Sequence, residues 1–357
     1  MTHQEKSFVA PDDIGEIMRR LGDAARQLEG KRVLLAGGCG FLGRYFLEVF
    51  SRLNAEVFEQ PVSLVVMDNL ITAAGVPDTF ANNPHLEFVE HNIIDPCNLG
   101  GRFDHIIHAA GIASPFYYRA HPLETLDVAI AGTRNLLELA REGHSHFVYF
   151  SSSEIYGDPD PVHVPTPESY CGNVSCVGPR ACYDEGKRVG ETLCHIYHTV
   201  HGVPVNVVRP FNIYGPGMKE RDFRVLPNFA SRIQGGHPLQ IYGTGKQTRT
   251  YCYITDAMVG FLKVLLLGAP GETYNIGSTH PEVSVQDLAK AMEQVLGRDI
   301  ASDQVEHPDS YPADEPQRRC PNIRKANLQL EYQPEVELGD GLSRFLNWTQ
   351  QHYAGEL

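Results

Sequence analysis

The segment RVLLAGGCGFLG, residues Arg32–Gly43, decides the fold class of this 357-residue chain. Its first five residues form an apolar run typical of a buried parallel strand, and a helical pattern begins at Arg44. Between them Gly37, Gly40 and Gly43 form G-x-x-G-x-x-G, which permits a tight turn and places a pyrophosphate on the helix N-terminus. Any tight strand-to-helix turn can use glycines in this way, so the interpretation depends on the later segments of the chain.

The strand–helix alternation continues after this unit, which predicts an α/β protein with a doubly wound parallel Rossmann sheet. Further strands are predicted at 62–67, 86–90, 105–108, 146–150 and 205–209, with helices near 123–139 and 180–201. We assign 31–217 to an NAD-binding Rossmann domain that also carries the catalytic residues. After about residue 218 the elements become shorter and less regular, which predicts a small C-terminal α+β domain, 218–357, for the substrate, with some chain returning to the Rossmann domain. Residues 1–30 are predicted to form a helical extension, with one amphipathic helix from about Asp12 to Leu28, and residues 307–316 a loop.

The end of the second strand indicates which dinucleotide binds. Asp68 stands there, and a carboxylate at this place accepts hydrogen bonds from the adenosine ribose and repels a 2′-phosphate. NAD is therefore favoured over NADP, with Arg44, directly after the last glycine, as a mild opposing signal.

Tyr183 and Lys187 are the candidate proton-transfer pair. They lie four residues apart, so in a helix both side chains share one face. An ammonium group one turn away should lower the phenol pKa from its usual ~10, and a cationic nicotinamide should lower it further. Alone this pair is a weak signal, since a surface tyrosine often has a lysine neighbour. Ser152 and Glu154, at the carboxyl end of the fifth strand, strengthen it because ligands bind at that end of a parallel sheet.

The predicted cofactor contacts lie at strand ends or on the helix of this pair: Gly37, Gly40, Phe41, Leu42, Gly43, Asp68, Asn69, Asn92, Ile93, Ala109, Ala110, Tyr183 and Lys187.

Composition excludes several classes of partner. A net charge of −14 argues against nucleic acid and anionic membranes. No apolar run approaches the ~20 residues of a membrane span. The eight cysteines lack metal-like spacing and are interpreted as reduced thiols of a cytoplasmic protein. His195, His198 and His201 are three residues apart, but they lack a carboxylate cluster, so we predict no metal site.

Five motifs in order resemble those of the extended short-chain dehydrogenase/reductase family of nucleotide-sugar epimerases, dehydratases and decarboxylases: GGCGFLG, the Asp68-Asn69 pair, SSSEIYGD, YDEGK and RPFNIYGPG. Within this family the chain is similar to UDP-glucuronate decarboxylases in six segments: ASPFYYRAHPLETL, SEIYGDP, GPRACYDEGKRVGET, DFRVLPNF, GKQTRTYCYITD and QRRCPNIRKA.

This resemblance implies permanently held NAD, a UDP-sugar substrate and a homodimer built on paired helices. It also implies catalytic roles for Ser152, Glu154, Tyr183, Lys187 and Arg319: Ser152 binds the sugar oxygen, Glu154 lies beside the sugar ring, and Arg319 holds the carboxylate. Substrate contacts are implied for Ser114, Ser153, Asn212, Arg224, Tyr242, Arg249 and Arg319.

The implied reaction is decarboxylation of UDP-glucuronate to UDP-xylose through transient oxidation at C4. A 4-epimerase or a 4,6-dehydratase is an alternative, although Ser153 stands where dehydratases carry aspartate. A low-turnover NAD or nucleotide-sugar binding protein is a further one. The chain departs from the decarboxylases at Glu124, Asp127 and Ala129, where two lysines and an asparagine are usual. If these side chains line the sugar pocket, they oppose glucuronate; if they face solvent or a dimer partner, specificity is unaffected.

Overall fold

The computed structural model describes residues 8–73, 75–81, 83–97, 99–306 and 316–355. The loop predicted at 307–316 therefore lies outside the described residues except for Pro316.

The core of the molecule is a seven-stranded sheet in which every neighbouring pair is parallel. Its strands in sequence order are β1 (Arg32–Ala36), β2 (Ser63–Asp68), β3 (Leu86–Glu90), β4 (His105–His108), β5 (His146–Phe150), β6 (Val205–Pro210) and β11 (Thr273–Ile276). Their spatial order is β11-β6-β5-β4-β1-β2-β3, so the order reverses between β1 and β4, where open α/β sheets bind ligands. The predicted fold class is confirmed.

Helices cover both faces of this sheet. They are α1 (Pro11–Leu21), α2 (Phe41–Glu56), α3 (Pro115–Ala120), α4 (Pro122–Asp127), α5 (Thr133–Gly143), α6 (Ala181–His201), α7 (Val225–Gln234), α8 (Ile254–Leu267), α9 (Val285–Leu296), α10 (Arg324–Leu330) and α11 (Leu338–His352). The single helix expected at 123–139 is α4 and α5 joined by a π-helical turn at Val128–Gly132.

The N-terminal helix is shorter than predicted. It ends at Leu21 because Gly22 adopts φ +52°, and a 3-10 helix follows over Gly22–Leu28. The helix is not a detached extension. Ile14 and Ile17 are buried within the main hydrophobic core, and α1 packs against α8 and α2.

The second half of the chain, after residue 210, contains several short strands. They are β7 (Ile213–Tyr214), β8 (Leu239–Tyr242), β9 (Thr248–Thr250), β10 (Cys252–Tyr253), β12 (Glu282–Ser284), β13 (Ser302–Val305) and β14 (Arg318–Arg319). β14 pairs in parallel with β9 and sets Arg319 opposite Arg249. This pairing places side by side two arginines that are predicted to contact the substrate.

Candidate active site

The glycine turn makes room for a ligand by close backbone packing. Gly37 has φ +84°, and a Cβ there would lie 2.6 Å from the Ala110 Cα. A Cβ on Gly43 would lie 2.3 Å from the Gly37 carbonyl oxygen. The turn therefore tolerates no side chain at either position, and the N-terminus of α2 opens directly onto the cleft. These features fit the pyrophosphate of NAD.

The carboxylate of Asp68 is held by the backbone. Its oxygens accept from the N–H of Cys39 at 2.9 Å and of Leu70 at 2.8 Å. Arg44 is engaged elsewhere: it donates to the Cys39 carbonyl at 3.0 Å and the Gly75 carbonyl at 2.9 Å. These contacts tie Arg44 to the glycine turn and to the loop after β2, so the opposing signal for NADP is weakened.

All thirteen predicted cofactor residues line one cleft of about 350 Å³. The cleft runs from the glycine turn past Asp68 to Tyr183 and Lys187. Further lining residues that the sequence did not indicate are Cys39, His91, Ile94, Ile112, Val128 and Phe150. The binding roles of all of them remain predictions.

The proton-transfer pair lies on α6, deep in the molecule. The Tyr183 hydroxyl is hydrogen-bonded to Ser152, and the Lys187 Nζ lies 5.8 Å from the Tyr183 ring centre. The Nζ donates to the Phe150 carbonyl at 2.6 Å, so β5 fixes the ammonium group.

The expected low phenol pKa is wrong for the protein alone. Burial raises the pKa of Tyr183 to about 12, against the lowering effect of the hydrogen bond with Ser152. Burial also lowers the pKa of Lys187 to about 8. The prediction considered the attraction of the phenolate to the ammonium and nicotinamide charges, whereas desolvation of Tyr183 and Lys187 dominates in the protein alone.

Glu154 forms the centre of an ion cluster. Its oxygens accept from both Nη groups of Arg319 at 2.5 and 2.7 Å, and also from Arg180. Burial opposes ionisation of Glu154, but the two guanidiniums hold its pKa down at about 2. Glu154 is thus a fixed anion and does not fit the role of a general acid.

Arg180 and Asp184 also belong to this cluster, although neither was predicted from the sequence as a site residue. Arg180 Nε donates to Asp184 at 3.3 Å. Burial, reinforced by the charge of Glu154, raises the pKa of Asp184 to about 7. The signal was present, because both residues flank Tyr183 in GPRACYDEGK, yet spacing does not indicate their partners.

A second cavity of about 440 Å³ meets the cofactor cleft at Tyr183, Glu154, Asn212 and Arg224. Five of the seven predicted substrate residues line it: Asn212, Arg224, Tyr242, Arg249 and Arg319. The other two, Ser114 and Ser153, line the cofactor cleft instead, and Ser114 donates to the Asp222 carbonyl at 2.8 Å. The site therefore consists of two cavities that share a wall.

Two arginines that are predicted to contact the substrate already have protein partners. Arg224 forms a two-point ion pair with Asp222 at 2.5 and 2.7 Å. Arg249 donates to the carbonyls of Pro316 at 2.6 Å and Thr248 at 2.8 Å. Both guanidiniums are consequently held in fixed positions at the cavity wall.

The three departures from the decarboxylase pattern do not line the second cavity. Asp127 is exposed to solvent, and Glu124 is exposed at the edge of the cofactor cleft. Ala129 is buried, and its Cβ lies where a side chain on Gly186 would touch it. Neither of the two added carboxylates therefore lines the second cavity, whereas Glu124 lies at the cofactor cleft that adjoins it.

The part of the chain that the structure describes also bears on metal binding, membrane insertion and disulfide formation. No cluster of three metal-ligating side chains occurs there, and His198 instead contacts the Val203 carbonyl. No helix within those ranges is long and apolar enough to cross a bilayer. All eight cysteines are free thiols.

Comparison with known proteins places the chain among nucleotide-sugar enzymes. The model of the NAD-dependent epimerase/dehydratase family matches residues 33–277. The chain is 37% identical to UDP-glucuronic acid decarboxylase 1 of Xenopus tropicalis over 322 residues, which cover 90% of this chain and 72% of the relative. Identity to UDP-glucuronic acid decarboxylase 1 of Arabidopsis thaliana is 36% over 318 residues, covering 88% and 69%.

A solved structure shares the fold. The dTDP-glucose 4,6-dehydratase DesIV of Streptomyces venezuelae, determined with NAD, superposes with a TM-score of 0.76 at 26% identity. The match covers 90% of this chain and 97% of that one.

Proposed function

The chain belongs to the NAD-dependent epimerase/dehydratase family, and from this premise we propose that it decarboxylates UDP-glucuronate to UDP-xylose. The relatives from Xenopus and Arabidopsis are UDP-glucuronic acid decarboxylases, and NAD is the cofactor of the family. The observation that carries the proposal is the pair of guanidiniums, Arg180 and Arg319, gathered around one carboxylate beside Tyr183. A hexuronate brings a carboxylate that a guanidinium of this cluster can bind at two points.

The first step removes a hydride from C4 of the sugar and the proton from the C4 hydroxyl group. When bound, NAD supplies a cationic nicotinamide ring that takes hydride from C4 and later returns it. Tyr183 is placed to accept the hydroxyl proton, and its hydrogen bond with Ser152 aligns it toward the same sugar oxygen. Because the pKa of Tyr183 is about 12 in the buried site, the phenolate depends on nearby positive charge, which Lys187 provides from the chain.

The second step is loss of carbon dioxide. A ketone at C4 makes the sugar a β-keto acid, because the C6 carboxylate is attached to C5, next to the ketone. When the C5–C6 bond breaks, its electron pair forms an enolate at C4–C5, which is then protonated at C5. Arg319 pairs with the carboxylate and remains as a cation beside the enolate.

A panel of nucleotide sugars tests the proposal. Carbon dioxide release from UDP-glucuronate and a product of UDP-xylose mass are expected, while UDP-glucose and dTDP-glucose should remain unchanged. Conversion of a neutral hexose without carbon dioxide release would instead identify a 4-epimerase or a 4,6-dehydratase. Binding of all these sugars with no turnover would leave the low-turnover binding protein.

We further propose a homodimer formed by the helix layer of α4, α5 and α6. Leu123 on α4 and Val200 on α6 are 72% and 70% exposed, and Ile196 on α6 is also exposed. Exposed apolar residues grouped on one layer mark an interaction surface. Light scattering should give twice the chain mass, and Val200→Asp should reduce it. Leu328→Asp, on α10 with the similar exposure of 69%, is the matched control and should remain dimeric.

We expect a cytoplasmic location on the basis of the eight thiols.

A further inference from the structure

We propose that Arg180 is a positioning residue that keeps Glu154 paired when Arg319 leaves it to hold the carboxylate of the sugar. This inference rests on the proposed function and extends it, since it identifies what makes the second arginine necessary.

Glu154 stands where one carboxylate has two guanidinium partners. Arg319 makes both of its Nη contacts with Glu154, at 2.5 and 2.7 Å, and its buried Nε has no partner in the described residues. A ligand carboxylate in the second cavity that pairs with Arg319 through both Nη groups therefore competes with Glu154 for them. If Arg319 were the sole partner, its transfer would leave a buried anion beside an anionic substrate, which is strongly unfavourable.

Arg180 is held next to Glu154 and can stay there when Arg319 moves to the sugar carboxylate. It contacts Glu154, and its Nε is bonded to Asp184 one turn further along α6. Both its cluster partners thus come from the protein, and the Arg180 side chain is mostly buried between them. Arg319 lies on β14, the two-residue strand after the 307–315 segment, and within the described ranges its guanidinium is bonded to Glu154 alone.

The charges of the cluster support the transfer of Arg319 from Glu154 to the sugar carboxylate. Arg180 and Arg319 carry two positive charges, and Glu154 one negative charge. With the pKa of Asp184 near 7, that carboxyl group is only partly ionised at neutrality. When Asp184 is protonated, a substrate carboxylate completes the balance, giving one guanidinium for each anion.

The test is a double-mutant cycle measured by binding rather than by turnover. Holoenzyme in a Tyr183→Phe background, which should bind the sugar without turnover, is titrated calorimetrically with UDP-glucuronate, and with UDP-glucose as a sugar nucleotide that lacks the carboxylate. The variants are Arg180→Met, Arg180→Lys, Glu154→Gln and the double variant Glu154→Gln/Arg180→Met. Arg141→Met is the control, because Arg141 lies on the surface of α5 and pairs with Glu138 and Glu142, away from the site.

We expect Arg180→Met to weaken UDP-glucuronate binding at least tenfold and UDP-glucose binding less than twofold. Arg180→Lys should recover most of the loss, and in steady-state assays KM should change more than kcat. In the Glu154→Gln background the same Arg180→Met change should have less than a twofold effect, because no anion is left to stabilise.

Several results would overturn the inference. Equal weakening of both ligands would mean a structural role, and a full tenfold effect in the Glu154→Gln background would mean that Arg180 binds the sugar directly. A wild type without preference for UDP-glucuronate would overturn it as well. If the preference and its dependence on Arg180 hold but no carbon dioxide appears, the decarboxylase proposal fails and the inference stands. If carbon dioxide is released but Arg180→Met binds normally, the reverse is true.

Discussion

At the residue scale, burial shifts the pKa values of Tyr183 and Lys187 in opposite directions. Each group loses its hydration, so the phenol is held neutral and the ammonium is pushed toward the neutral amine. The two side chains share one face of α6, yet the ammonium donates to the Phe150 carbonyl of β5. Lys187 therefore anchors the pair to the sheet and acts on the phenol only through its charge.

Tyr183→Phe should retain binding of UDP-sugar and lose turnover by about 10²–10⁴-fold, because the phenol oxygen is the group that Ser152 positions to accept the hydroxyl proton. Calorimetric binding and carbon dioxide release measure the two effects. Near-normal turnover in this variant would assign the base to another group.

Lys187→Met should abolish turnover and yet stabilise the fold at pH 7. A fall in the pKa of Lys187 from 10.5 to about 8 makes the charged form unfavourable in the folded state by on the order of 3 kcal/mol. The lost bond to the Phe150 carbonyl offsets part of this, leaving a gain of ~1–2 kcal/mol.

The gain should depend on pH with a defined sign. Between about pH 8 and 10.5 the folded wild type has released the Lys187 proton and the unfolded chain still holds it, so wild-type stability rises with pH. Urea unfolding at pH 7 and pH 10 should therefore show a larger advantage for Lys187→Met at pH 7. An advantage that is equal at both pH values would refute the desolvation argument.

The sequence predicted which residues form the candidate site but not how their side chains pair. Ser152, Tyr183 and Lys187 follow from motif order, since strand ends and helix spacing fix where they point. The Arg180–Glu154–Arg319 cluster could not be derived, because it joins β14, α6 and the turn after β5, which lie far apart in sequence. Side-chain pairing across such distances depends on tertiary packing, which spacing does not encode.

At the element scale, the strand–turn–helix unit of β1 and α2 carries the tightest packing of the cofactor cleft. Gly43→Ala should reduce the NAD content of purified protein strongly, because its Cβ would lie 2.3 Å from the Gly37 carbonyl and 2.5 Å from the Gly38 Cα. Gly339→Ala is the matched control. Gly339 lies in α11 with no atom within 4 Å of the added Cβ, so the substitution should keep NAD and add up to ~1 kcal/mol of stability.

Cofactor content measured by absorbance and mass spectrometry after denaturation distinguishes the two variants. If Gly43→Ala retained full NAD, the backbone would have to relax at the turn, contrary to its close packing against Gly37 and Gly38.

Elements were predictable in type and less so in extent. The parallel strands followed from buried apolar runs, and α6 was expected within one residue of its observed start. The break at Gly22 and the π-helical turn at Val128–Gly132 were missed. Both interrupt segments whose apolar spacing continues unbroken, so periodicity alone indicates one uninterrupted helix in each case.

At the scale of the whole molecule, the cofactor cleft draws on both halves of the chain. Its lining includes Gly37 and Asp68 from the first half, and Lys219 and Arg224 from beyond residue 217. Removal of NAD should therefore lower the melting temperature of the entire molecule in one transition, since a ligand that binds only the folded state stabilises it.

Differential scanning fluorimetry of stripped and NAD-reloaded protein measures this effect, with NADP as the control ligand. Restoration by NAD and not by NADP is expected from Asp68 at the end of β2. Equal restoration by NADP would show that Asp68 does not discriminate.

The docking of α1 also constrains the timing of folding during synthesis. The surface that receives Ile14 and Ile17 includes α8, which begins at residue 254. At ~5–20 residues per second, a ribosome needs roughly 10–50 s to proceed from Leu21 to that helix. During this interval the apolar face of α1 lacks α8, although α2 has already been made, and the part of the face that α8 covers is available to a chaperone. Ribosome-bound chains stalled at residue 240 should therefore be cut by protease within α1, and chains stalled after α8 has left the ribosomal tunnel should be protected there.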